Sequence, residues 1–166
     1  MVFLRRPEID MPKQIIIPAC VFFLAVCSGG YDEQKYKNYR ELRHPDGFVV
    51  RIPPSLAAEQ TPHGYVVHHP NYKDLRYPMF ASMQRIAIDE APELAERKKV
   101  GSRSVAYQID NLGNGGSGGT EYRLRILLVS ANGAFLYHQE DQSEYGEPPF
   151  DLCWDLVKTT ELIKGK

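Results

Sequence analysis

Between residues 121 and 129 apolar and charged side chains alternate, with Tyr122, Leu124, Ile126 and Leu128 on one parity and Arg123 and Arg125 on the other. Successive side chains of a strand point to opposite faces, so this segment predicts a strand with one buried and one solvated side. Similar β character marks Phe48–Ile52 and residues 64–70, 79–88, 104–109 and 134–139. Breakers bound these runs. Asp46-Gly47 precedes the first, Pro53-Pro54 follows it, and the turn at 61–64 predicts that the first two strands are antiparallel neighbours. Ser130-Ala131-Asn132-Gly133 predicts a hairpin, because Asn-Gly tolerates the positive φ that tight hairpin turns demand.

The period changes after Pro148-Pro149. In residues 150–163 Phe150, Cys153, Trp154 and Val157 recur at three- and four-residue spacing, which predicts an amphipathic helix with Trp154 buried against the sheet. The pattern as a whole predicts an α+β fold, about six antiparallel strands covered on one side by a C-terminal helix. At 166 residues the chain has the size of one domain. A formal charge of −1 argues against nucleic acid, whose phosphates select basic faces.

Residues 15–26 form a wholly apolar run behind Lys13. It is shorter than the roughly 20 residues a membrane-spanning helix needs and fits the core of a secretory signal peptide. Leu24-Ala25-Val26-Cys27 resembles the lipobox of bacterial lipoproteins, with Val26 where such sites usually carry Gly, Ala or Ser. That resemblance implies a signal peptide over 1–26, acylation of Cys27 and attachment to the periplasmic face of the outer membrane. Cys20, after Ala19, is an alternative with a shorter apolar run before it, and translation starting at Met11 would leave out the charged stretch 1–10. Loss of residues 1–26 removes three basic and two acidic residues and takes the formal charge from −1 to −2. With Cys20 removed and Cys27 acylated, only Cys153 remains, so no internal disulfide is expected. Residues 27–45, polar and rich in tyrosine, read as the lipidated cysteine and its tether, and 46–166 as a single domain.

Five of the 13 glycines fall within residues 113–119, GNGGSGG. A dinucleotide fingerprint or P-loop opens a helix whose N–H groups hold phosphate, whereas these glycines open a strand. No nucleotide or other cofactor is expected. The segment instead reads as a loop between two strands of one sheet, either a plain connection or a means of bringing backbone close to a partner. His63, His68 and His69 are close in sequence, but neighbouring strand residues face opposite ways, so no metal site is expected from them. Cys153 reads as a small core residue. The acidic stretch 140–147 reads as a solvated connection before the helix, with paired carboxylates for a hydrolase as the alternative.

Taken together, the lipoprotein-like start, residues 39–48 (YRELRHPDGF), Arg51-Ile52-Pro53, the loop 115–122 (GGSGGTEY) and Cys153-Trp154 resemble the periplasmic immunity lipoproteins of type VI secretion, in particular those that neutralise an exported peptidoglycan muramidase. The resemblance covers about residues 39–163, and the Asp-Gly-Phe strand is similar more loosely to small domains of the PsbP and Mog1 type. It implies a non-catalytic protein that occludes the active-site groove of a toxin. The presenting positions would be Gly116, Ser117, Gly118 and Glu121 in the glycine loop, with Glu144 and Glu147 in the acidic stretch. The rival expectation is a periplasmic lipoprotein of PsbP/Mog1 type that binds a small ligand or assists envelope assembly.

Overall fold

The computed structural model describes residues 33–71, 80–114, 119–130 and 133–163. The expected signal peptide and Cys27 lie outside them. In chain order the elements are α1 (Glu33–Tyr36), β1 (Arg40–His44), β2 (Phe48–Ile52), β3 (Ala57–Thr61), β4 (Gly64–His68), β5 (Phe80–Ile86), β6 (Glu96–Val100), β7 (Arg103–Asn114), β8 (Thr120–Ser130), β9 (Gly133–Ser143), α2 (Asp151–Thr159) and β10 (Glu161–Leu162). Seven strands form one antiparallel sheet in the order β3-β4-β5-β9-β8-β7-β6, and β1, β2 and β10 form a smaller one. The α+β class is as expected, with more strands than the pattern suggested.

The alternation in β8 does what it predicts. Leu124 and Ile126 are fully buried beneath α2 and β2, while Arg123 and Arg125 lie on the other face. Phe135 and Tyr137 of β9, Met83 of β5 and Leu156 and Val157 of α2 complete this core. A second cluster, Leu94, Ala106, Leu127 and Ala134, fills the opposite face at one end, where the segment after β5 folds across it. β8 and β9 pair with Ser130 opposite Gly133, which is the expected hairpin with residues 131–132 as its connection.

Helix α2 begins on a buried Phe150 in the left-handed region, φ 51°, with no side-chain cap from its own first residue. The first N–H groups of a helix need acceptors from elsewhere. One is supplied across the core, where Gln139 Oε1 of β9 accepts the Cys153 N–H at 2.9 Å. A buried glutamine therefore ties the start of the helix to the central strands.

Three expectations are corrected. Phe48–Ile52 and the strand at 64–68 are not partners. β2 pairs with β1 and β10, and β4 pairs with β3, a short polar strand between them in sequence. The helix stops at Thr159, because the chain turns into β10, and Trp154 is only partly buried, its ring edge-on to Tyr107 and beneath the Lys98 ammonium. Finally, ordered packing starts before residue 46. His44 is 4% exposed, stacked on Phe48, with Nδ1 accepting the Asp46 N–H and Nε2–H donating to the Thr61 carbonyl. Further upstream, Asp155 of α2 is 6% exposed and accepts hydrogen bonds from Tyr36 Oη at 2.9 Å and Tyr39 Oη at 3.1 Å, beside Lys35 Nζ at 2.7 Å. Residues read as tether are thus latched to the helix.

Candidate functional site

Strands β7, β8 and β9 run past the end of β5, whose last partner on β9 is Glu140. Their extension carries both segments singled out in the sequence. The glycine stretch joins β7 to β8, as expected of a loop within one sheet, whereas the acidic stretch is a connection only in part: Glu140 and Asp141 lie inside β9, paired with β8, and Glu144 and Glu147 follow it. Gly116, Ser117 and Gly118 lie outside the described residues.

Backbone geometry brings the two segments together. Gly119 has φ +104°, and a Cβ there would come within 2.5 Å of the Ser143 carbonyl oxygen and 2.9 Å of the Glu144 nitrogen. Only glycine permits both that conformation and that approach. Thr120 pairs with Ser143 and Glu121 with Gln142, and Gln142 Nε2 donates to the Gly119 carbonyl at 3.3 Å. On the other side of the hairpin, a register shift between Asn111 and Gly113 bends β7, and Asn111 Oδ1 accepts the Gly113 N–H at 2.9 Å. The loop therefore springs from a defined base.

Glu121, Glu144 and Glu147 are all exposed. Glu121 shares its parity with Arg123 and Arg125 and so heads a ladder on the sheet face away from α2. Below it, Arg123 Nη2 meets Glu140 Oε1 at 2.6 Å, His138 Nε2 lies 3.5 Å from the same oxygen, and Arg125 Nη2 contacts Asp110 at 3.0 Å. Burial pulls the His138 imidazole below its ordinary value, with Glu140 opposing and the two guanidiniums reinforcing. These charges largely satisfy one another.

Sequence reasoning missed two apolar residues here. Tyr145, between the acidic residues, is 92% exposed, and Leu112, at the β7 bend, is 42% exposed. Their signal was a large apolar side chain inside a polar connection. Among the described residues, one hollow of about 220 Å³ is lined by Arg103, Leu128, Phe135 and Thr160, and one of about 500 Å³ by Asp46, His63, Arg85 and Gly133, both toward the opposite end of β8 and β9.

The alternatives from the sequence are not assembled. His63 faces Asp46 and His68 faces Glu59, and among the described residues no three His, Cys, Asp or Glu side chains converge as metal ligands. Cys153 is fully buried, and burial pushes its thiol far above the range in which a nucleophile works. At this end of the sheet the described residues present exposed carboxylates beside the glycine connection.

Comparison with known proteins makes the class specific. Residues 49–161 match the type six secretion immunity 3 domain, and the chain belongs to that family. It is 29% identical over 148 residues to the immune protein Tsi3 of Pseudomonas aeruginosa strain PAO1, covering 89% of this chain and 96% of that one. A solved structure from Bacteroides thetaiotaomicron shares the fold with a TM-score of 0.55 at 14% identity, over 76% of this chain and 49% of that one, so the present chain spans about half its length. The protein is a type VI secretion immunity protein, an inhibitor and not an enzyme.

Proposed function

We propose that the chain protects its own cell by binding a periplasmic peptidoglycan muramidase delivered by type VI secretion and filling that enzyme's substrate groove. Gly116, Ser117 and Gly118 form the inserted backbone, Glu121 stands at its base, and Glu144 and Glu147 engage hydrogen-bond donors of the groove. Acylated Cys27 holds the protein at the periplasmic face of the outer membrane, where the toxin acts. A fold ancestry shared with PsbP and Mog1 domains belongs to the same proposal.

The observation that supports this reading is the seating of Gly119 on Ser143 and Glu144, which sets the end of the glycine connection against the start of the exposed acidic residues. A groove shaped for an extended glycan admits backbone without side chains more readily than a bulky loop, and carboxylates form charge-assisted hydrogen bonds with its donors. The rigid sheet behind these residues lowers the ordering cost of binding.

The test uses the full-length chain in detergent micelles and a peptidoglycan muramidase delivered by type VI secretion from the same cell, with peptidoglycan turbidity as readout. Stoichiometric inhibition is expected. Gly116→Val with Gly118→Val should weaken inhibition at least tenfold, about 1.4 kcal/mol, with little change in melting temperature. No inhibition by the wild-type chain would refute the muramidase reading, and full inhibition by the double variant would refute the role of the loop.

A further inference from the structure

We propose that Tyr145 is the anchoring side chain of the effector interface and that its ring occupies a sugar-binding subsite of the effector's groove. The inference rests on the muramidase reading above and adds the residue that carries affinity and the chemistry of the place it enters.

Tyr145 is 92% exposed, whereas Ile88, Val129, Leu112 and Ile163 lie between 42% and 54%. Single exposed apolar residues are common, so exposure alone decides little. The manner of presentation decides more. On its N-terminal side the Tyr145 N–H donates to Ser143 Oγ at 3.3 Å, and Ser143 is itself the residue on which Gly119 rests. Gly146, at φ +77° with open space around it, turns the chain back, and buried Pro148 and Phe150 hold the returning leg. The tip is short and fixed at both ends, so little conformational freedom is lost when a partner closes over the ring.

The surroundings match the anatomy of an interface centre. Large aromatic side chains that enter a partner pocket carry a disproportionate share of binding energy, and a polar rim excludes water around them. Tyr145 is flanked by Glu144 and Glu147, and Leu112 on the β7 bend adds a second apolar contact at the same sheet end.

The chemistry of the flanks indicates the kind of pocket. A tyrosine is a flat disc with a hydroxyl at its rim, comparable in outline to a hexose ring. The N-acetylmuramic acid units of peptidoglycan carry carboxylates on the stem peptide joined to their lactyl group, or on the lactyl group itself where the peptide is absent, so a groove that binds them combines an apolar platform with donors for acidic groups. The Glu-Tyr-Gly-Glu tip offers the same combination: a disc for the platform and a carboxylate on either side for the donors. It imitates one acidic sugar unit.

Titration calorimetry with the effector and the full-length chain in micelles tests this. Tyr145→Ala should raise Kd at least 30-fold, about 2 kcal/mol, without a change in melting temperature, and Tyr145→Phe should stay within threefold. Saturating soluble peptidoglycan fragments should weaken wild-type binding. Wild-type affinity in Tyr145→Ala overturns the inference and leaves the inhibitor reading standing, whereas binding indifferent to the fragments overturns the inference together with groove filling. Failure of the wild-type chain to bind overturns both.

Discussion

Gln139 and Ser143 lie four residues apart on the same strand and face opposite demands. Gln139 is 1% exposed and spends its side chain on the first turn of α2, where a buried N–H would otherwise lack an acceptor. Ser143 stands at the open end of β9, where Gly119 rests on its carbonyl and its hydroxyl accepts the Tyr145 N–H. One end of the strand is used to hold the helix on the sheet, and the other is used to hold two loops in register beyond it. The contrast teaches that rigidity at the site comes from strand backbone and close approach, with few buried side chains, whereas rigidity of the body comes from packing. Changes in the two regions should therefore separate stability from binding.

The largest expected effect is in the body. Phe135 is 1% exposed and meets Phe48 edge-on, so Phe135→Ala should destabilise by about 3–5 kcal/mol. Urea unfolding would measure it. A loss below about 1 kcal/mol would show that the core is less tightly packed than the contacts indicate.

The latch between the N-terminal segment and α2 is intermediate. Asp155→Ala removes the acceptor of two tyrosine hydroxyls and the partner of Lys35, and should cost about 1–3 kcal/mol while exposing Tyr36 and Tyr39 to chymotrypsin. Burial, and then the Asp155 charge, push the Tyr39 hydroxyl up to about 12. A folded value above the unfolded one of 10 contributes stability below pH 10 that is lost as pH rises toward 12. Alkaline unfolding in Asp155→Ala should show less of that loss. Cleavage of the wild-type and variant chains at equal rates would mean that residues 33–39 are not held by Asp155.

The smallest effect on stability and the sharpest on binding should come from Gly119→Ala. Positive φ and the 2.5 Å approach to the Ser143 oxygen make alanine strained by about 1–3 kcal/mol. Relief requires the hairpin to move away from Ser143, so affinity for the effector should fall by more than the change in melting temperature suggests. Calorimetry and thermal denaturation on the same sample would decide. Proportionate changes in both would place Gly119 with the body.

Much of the central sheet was legible because its information is local. Alternation along β8, the Asn-Gly hairpin and the position of the glycines between two strands each depend on residues adjacent in sequence. Edge strands were not. β6 reads ERKKV and is bonded on one side only, to β7; its charges protect an open edge and erase the alternation that would reveal a strand. β3, reading AAEQT, is weak for the same reason, and overlooking it led to the incorrect pairing of β2 with β4. Trp154 was assigned to the core because helical spacing cannot choose between adjacent faces. Asp155, seen as a polar residue, is the buried one, since donors from residues 35–39 reach it from far away in the chain.

The sequence by itself determined the class of fold and the place of the glycine loop between two strands of one sheet. Tertiary structure decided that the end of this loop lies against the start of the exposed acidic residues. Gly119 and Glu144 are separated by the whole of β8 and β9, and only the register of Thr120 on Ser143, with Gly119 pressed against the following peptide, sets them side by side. Register depends on where the hairpin at 131–132 starts the count and on which strand faces reach the core, and both are properties of the assembled sheet.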